Sequence, residues 1–108
     1  MKLPPDAIID SRKITDYLLQ PREADDKSAY LARAGYTPAN AEQLLFDLRR
    51  QILPLVAECL GRFEYGTKYR IRATLRGPNG RELPISSIWA KIEKTGLTKF
   101  ITLYPDSP

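Results

Sequence analysis

From Lys68 to Arg76 the chain changes side-chain character at every residue: Tyr69, Ile71, Ala73 and Leu75 alternate with Lys68, Arg70, Arg72, Thr74 and Arg76. A period of two is that of a strand buried on one face, so this segment must lie in a sheet with apolar material beneath it. Its other face is almost wholly cationic. Upstream the apolar period is 3.6. Ser11 is expected to cap a helix through SRKITDYLLQ, with Ile14, Tyr17 and Leu18 on one face and Pro21 as the stop. Asp25 and Asp26 are expected to cap a second, short helix in KSAYLARA that ends at Gly35. A third begins near Pro38 or Asn40, buries Leu44, Leu45, Leu48 and Ile52, carries Arg49 and Arg50 beside that stripe, and ends before Pro54.

Beyond the first strand, Gly77-Pro78-Asn79-Gly80 has the residues of a tight turn. On the return, Leu83 and Ile85 are odd-numbered while Ile88, Ala90 and Ile92 are even-numbered, which reads as a β-bulge near Ser86 and Ser87. With that insertion Trp89, Lys91 and Glu93 face away from the core. Lys94-Thr95-Gly96 makes the next turn. A last strand over TKFITLY sends Ile101 and Leu103 inward and Phe100, Thr102 and Tyr104 outward. A further strand is expected around Val56 to Arg62, joined through Tyr65-Gly66-Thr67.

The expected fold class is α+β: two to three N-terminal helices packed on one face of a three- to four-stranded antiparallel C-terminal sheet. The 108 residues suit a single domain, with a helical part at about 11–54 and a sheet at about 56–104. No window approaches the roughly 20 apolar residues that span a bilayer. The first ten residues also lack the apolar run of a secretory signal. The single cysteine, Cys59, cannot form an internal disulfide, so a reducing, cytoplasmic setting without membrane is expected.

Charge is unevenly spread. Residues 1–60 hold eight basic and nine acidic side chains, residues 61–108 nine basic and four acidic. The excess falls on the strands, which points to an anionic partner, RNA first. Paired as an antiparallel meander, the strands display Lys68, Arg70, Arg72, Trp89, Lys91, Phe100, Thr102 and Tyr104 on one open face. Cations neutralise phosphates, and aromatic rings stack bases for about 1–3 kcal/mol each. Lys68, Trp89, Lys91, Phe100 and Thr102 are therefore the expected RNA-binding set.

The chain has no histidine, which excludes Ser-His-Asp and Cys-His catalysis and nearly every zinc site. No cofactor or metal is expected. RNA cleavage tolerates this lack, because the 2′-hydroxyl is an internal nucleophile and needs only orientation, charge stabilisation and proton transfer. Arg70 and Arg72 are placed to hold the phosphate, Lys68 or Lys91 to lower a neighbouring phenol's pKa, and Tyr104 to carry the proton.

The strings MKLPPDAII, ITDYLLQP, DKSAYLARAGYT, EYGTKY, LRGPNGREL, SIW and LTKFITLYP recur in order in a bacterial and cyanobacterial family that this chain resembles over nearly its whole length, domain of unknown function 6883. The resemblance implies a polar set of Lys27, Tyr30, Trp89, Thr102 and Tyr104, and so adds Lys27 to the candidate catalytic residues. Related domains look like the C-terminal toxin modules of large secreted bacterial proteins. The order of elements is similar to that of small ribonuclease toxins, the class of barnase, colicin nucleases and RelE-type toxins. The expected function is that of a small RNA-binding endoribonuclease of a toxin–antitoxin pair, metal-independent, with RNA and a small cognate or antitoxin protein as partners. The alternative is a non-catalytic module that pairs with a small protein through its terminal strand, where Lys99 otherwise guards the edge. An immunity role is a third reading, for which a basic face has the wrong sign against basic nucleases.

Overall fold

The structure, a computed structural model, describes residues 1–21 and 27–106. Helix α1, Ser11–Lys13, runs on into a π-helical turn, Ile14–Leu18. Its cap is Asp10 rather than Ser11, because the Asp10 carboxylate accepts from the Arg12 backbone N–H at 2.9 Å. The π turn closes with Leu19 N–H donating to Ile14 C=O at 2.9 Å. This brings residues five apart onto one side, and Ile14, Leu18 and Leu19 are all buried. The cap expected at Asp25 and Asp26 lies outside the described residues. Helix α2 is short, Ser28–Ala32. A 3₁₀ turn, Pro38–Asn40, leads into α3, Ala41–Asp47, which continues as a second π-helical stretch, Leu48–Ile52. Leu44, Leu48 and Ile52 are buried, with Leu45 packed at the margin. Asp47 shares this face. It accepts from Tyr36 Oη at 2.6 Å and Gln43 Nε2 at 2.9 Å, and burial, then this hydrogen bond, push the Tyr36 phenol far up.

The strands β1 (Glu58–Phe63), β2 (Gly66–Arg76), β3 (Glu82–Ile92) and β4 (Thr98–Pro105) form one antiparallel sheet in the order β1-β2-β3-β4. With the helices N-terminal to them, this is the expected α+β arrangement. Val56 lies before β1 and bridges to Lys2 instead.

The bulge sits elsewhere than expected. Pairing of β2 with β3 is unbroken from Gly66↔Ile92 to Arg76↔Glu82, so β3 keeps one parity throughout. The register shifts between β3 and β4, from Ile88↔Thr102 to Trp89↔Phe100, and leaves Ile101 unopposed. Residues directly opposite share a face. Tyr69, Ile71, Leu75, Leu83, Ile85, Trp89, Phe100 and Leu103 thus form the buried side together with the helical residues. Trp89 and Phe100 meet edge to face at 5.2 Å and 73°. The placement of both on the open face is therefore corrected: they are core. Ile88 and Ala90 take the outer side.

Two contacts fix the helical layer at the sheet margin. Ile8 bridges in parallel to Lys99, its N–H donating to Thr98 C=O and its C=O accepting from Phe100 N–H, each at 2.8 Å. This closes the part of the terminal edge where strand addition was expected. At the far corner the β2–β3 turn meets the end of α2, with Asn79 N–H donating to Ala34 C=O at 3.2 Å. Gly77 permits that approach, since a Cβ there would lie 2.1 Å from Ala34 O and 2.4 Å from Ala34 Cβ. Gly77→Ala is expected to lower stability by about 1–3 kcal/mol through this overlap. An unchanged urea midpoint would show that α2 gives way without cost.

Candidate functional site

The outer face of the sheet follows from the register. Arg70, Ile88 and Thr102 form one cross-strand row and Arg72, Ser86 and Tyr104 the next. Lys68 begins the row of Ala90 and Lys99. Strands are about 4.8 Å apart, so Arg72 and Tyr104 start about 10 Å from each other, a gap an arginine side chain can largely span.

The cations of this face are held. Arg70 Nε donates to Glu58 Oε1 at 2.7 Å. That hydrogen bond keeps the Glu58 carboxyl below its usual range and raises Arg70. Arg72 Nε lies 4.0 Å from Asp106 Oδ1, and the Lys68 ammonium sits 5.2 Å from the Phe63 ring centroid.

At the β4 margin Lys27 comes from the start of α2 and Tyr17 from the π turn of the first helix. Lys27 Nζ donates to Tyr17 Oη at 2.5 Å and stands 4.7 Å from the Tyr17 ring and 4.8 Å from the Tyr104 ring. Thr102 Oγ1 donates to Tyr17 Oη at 3.4 Å. Lys27 is 4% exposed, Thr102 7% and Tyr104 44%. A buried ammonium is thus aimed at one phenol and flanked by a second, with a hydroxyl behind and a guanidinium across the face. A phenol held in this way is positioned to exchange a proton with a group brought to the margin.

Of the expected residues, Lys27, Arg70, Arg72, Thr102 and Tyr104 share this side of the sheet, with Lys68 one row further on. Trp89 and Phe100 are excluded by burial, so neither ring is open to a base. Lys91 is corrected too: it shares the parity of Trp89 and lies opposite Thr67 and Thr98. It lines a separate hollow of about 400 Å³ with Arg62, Thr67 and Tyr69 on the other side of the sheet. Sequence reasoning misses Tyr17, because its spacing with Ile14 and Leu18 reads as core. Its signal is that a tyrosine at the margin of an apolar stripe buries its ring and leaves the hydroxyl to find a partner. Among the described residues no group of three His, Cys, Asp or Glu side chains could hold a metal ion, and no helix is long and apolar enough to cross a membrane.

A family described as Domain of unknown function (DUF6883) matches residues 3–107. No curated protein matches the sequence. Among solved structures, a chain from a contact-dependent growth inhibition toxin–immunity protein complex of Klebsiella pneumoniae 342 is similar, with a TM-score of 0.59 and 18% identity, covering 95% of this chain and 96% of that one. At that identity the likeness is one of fold.

Proposed function

This chain belongs to the DUF6883 family, and we propose that it is an endoribonuclease of toxin type acting from the outer face of its sheet. One observation carries the reading: the buried Lys27 ammonium is 2.5 Å from Tyr17 Oη, which also accepts from Thr102, and 4.8 Å from the Tyr104 ring, at the margin of the face that carries Arg72. In the proposed reaction Tyr17, as phenolate, takes the proton of the 2′-hydroxyl. The 2′-oxygen bonds to phosphorus as the bond to the 5′-oxygen breaks, and Tyr104 gives its proton to that leaving oxygen. Arg72 and Arg70 neutralise the charge gathering on the phosphoryl oxygens. The products are a 2′,3′-cyclic phosphate and a free 5′-hydroxyl, and water returns both phenols to their starting states. The similar fold comes from a complex of a toxin and an immunity protein, and a small cognate protein is the partner we propose here.

The test is incubation of the purified protein with single-stranded RNA in a chelator, with ends analysed for cyclic phosphate. Glu58→Gln supplies the internal check. It removes the carboxylate that occupies Arg70, so RNA affinity is expected to rise and the slope of log affinity against log salt to steepen by about 0.7. RNA left whole with and without ribosomes, together with harmless expression of folded protein, refutes the proposal. Salt-insensitive capture of a small protein on this face would favour the interaction module instead.

A further inference from the structure

β3 begins three residues before its last pairing with β4, which is Ile85↔Pro105. Alongside residues 82–84 the place of a fourth strand is taken by α2: Tyr30 Oη donates to Pro84 C=O at 2.7 Å, and Asp106 N–H donates to the same carbonyl at 3.0 Å. The notch left between helix and strand end has a volume of about 360 Å³ and is lined by Tyr30, Arg33, Arg81, Pro84, Pro105 and Asp106, among others. That is within the roughly 300–1,000 Å³ of small-molecule sites. Its walls have two characters. Tyr30, Pro84 and Pro105 present flat apolar surface, and the Arg33 guanidinium lies 5.4 Å from the Tyr30 ring centroid as a planar donor. Arg33 and Arg81 are exposed cations, while Asp106 is an acceptor already tied to Arg72.

Two residues of the notch link it to the site. Tyr30 follows Lys27 by three residues, about 4.5 Å of helical rise, and Asp106 touches Arg72 on the other side. We propose that this notch seats the nucleotide adjoining the scissile phosphate: its base lies against Tyr30, Arg33 and the two prolines, and its phosphate is held by Arg33 and Arg81. Guanidinium planes and aromatic rings stack unpaired bases, and a base so held donates its edge N–H groups to an acceptor such as Asp106. The proposal rests on RNA as the substrate of the Lys27 site.

The experiment is RNA binding by anisotropy with a labelled single-stranded pentanucleotide, using a Lys27→Met background so that cutting is slow, with and without Arg33→Ala and Arg81→Ala together. Both arginines are exposed, so the fold should survive, and an unchanged melting temperature verifies this. The expected result is roughly tenfold weaker binding at physiological salt and a salt slope lower in magnitude by about 0.7 for each phosphate that the alanines no longer neutralise. Equal affinity and slope in both proteins overturn the notch, as does failure of the protein with both arginines intact to bind. Cleavage by the wild-type protein is scored separately. Pentanucleotide binding that depends on both arginines, without cleavage, would keep the subsite and remove the catalytic reading, whereas Lys27-dependent cleavage indifferent to both arginines would do the reverse.

Discussion

A Lys27→Met variant is expected to cleave RNA about 10²–10⁴-fold more slowly than the wild type, the range a positioned acid–base group contributes. Methionine keeps the length and apolar stem of the buried side chain and removes the charge beside Tyr17 Oη. The ring contacts with Tyr17 and Tyr104, at 4.7 and 4.8 Å, become ordinary packing. Tyr17→Phe should cost as much as Lys27→Met, and the double variant no more than either alone, because the two groups act as one unit. Additive losses, or a Lys27→Met variant with full activity, would detach Lys27 from the chemistry. The melting temperature of each protein separates loss of function from loss of fold.

The elements legible in the residues are those whose periodicity has no polar interruption. In β2, Tyr69 to Leu75 alternate without a break, and the basic outer row of Lys68, Arg70 and Arg72 follows. The stripe of Leu44, Leu48 and Ile52 is equally plain, although nothing in it signals that the helix loosens into a π turn after Asp47. Periodicity misleads at β3. Ser87 faces inward and Ile88 and Ala90 face outward, so hydrophobicity alone shifts the pattern by one residue and turns Trp89 over. What holds Ser87 inside is a hydrogen-bond pair that no hydropathy count registers. The compensating bulge in β4 carries the same error to Phe100. Lys27 enters through family resemblance, since a lysine ahead of a short helix has no local reason to be buried. The decisive contact, Lys27 with Tyr17, joins a helix start to a π turn across ten residues of chain, and only the tertiary fold creates it.

Trp89→Ala is expected to destabilise the protein by about 3–5 kcal/mol, a large share of the roughly 5–15 kcal/mol that holds a domain folded. The reasons are on the buried side of the sheet. Trp89 is fully buried and opposes Tyr69 on one neighbouring strand and Phe100 on the other, so its removal opens a cavity among residues fixed by backbone pairing. Its Nε1–H donates to Ser87 Oγ at 2.8 Å, and that hydroxyl donates to Ile71 C=O at 3.1 Å. Alanine leaves the hydroxyl with a donor role satisfied and an acceptor role empty. Trp89→Phe should recover part of the loss, because a ring refills most of the space, and Trp89→Phe with Ser87→Ala should recover more, since the unmatched polar atom goes with its partner. If Trp89 instead faced outward to stack bases, alanine would leave the urea midpoint within about 0.5 kcal/mol of wild type and weaken RNA binding. The two positions of the ring therefore give opposite results in the same pair of measurements.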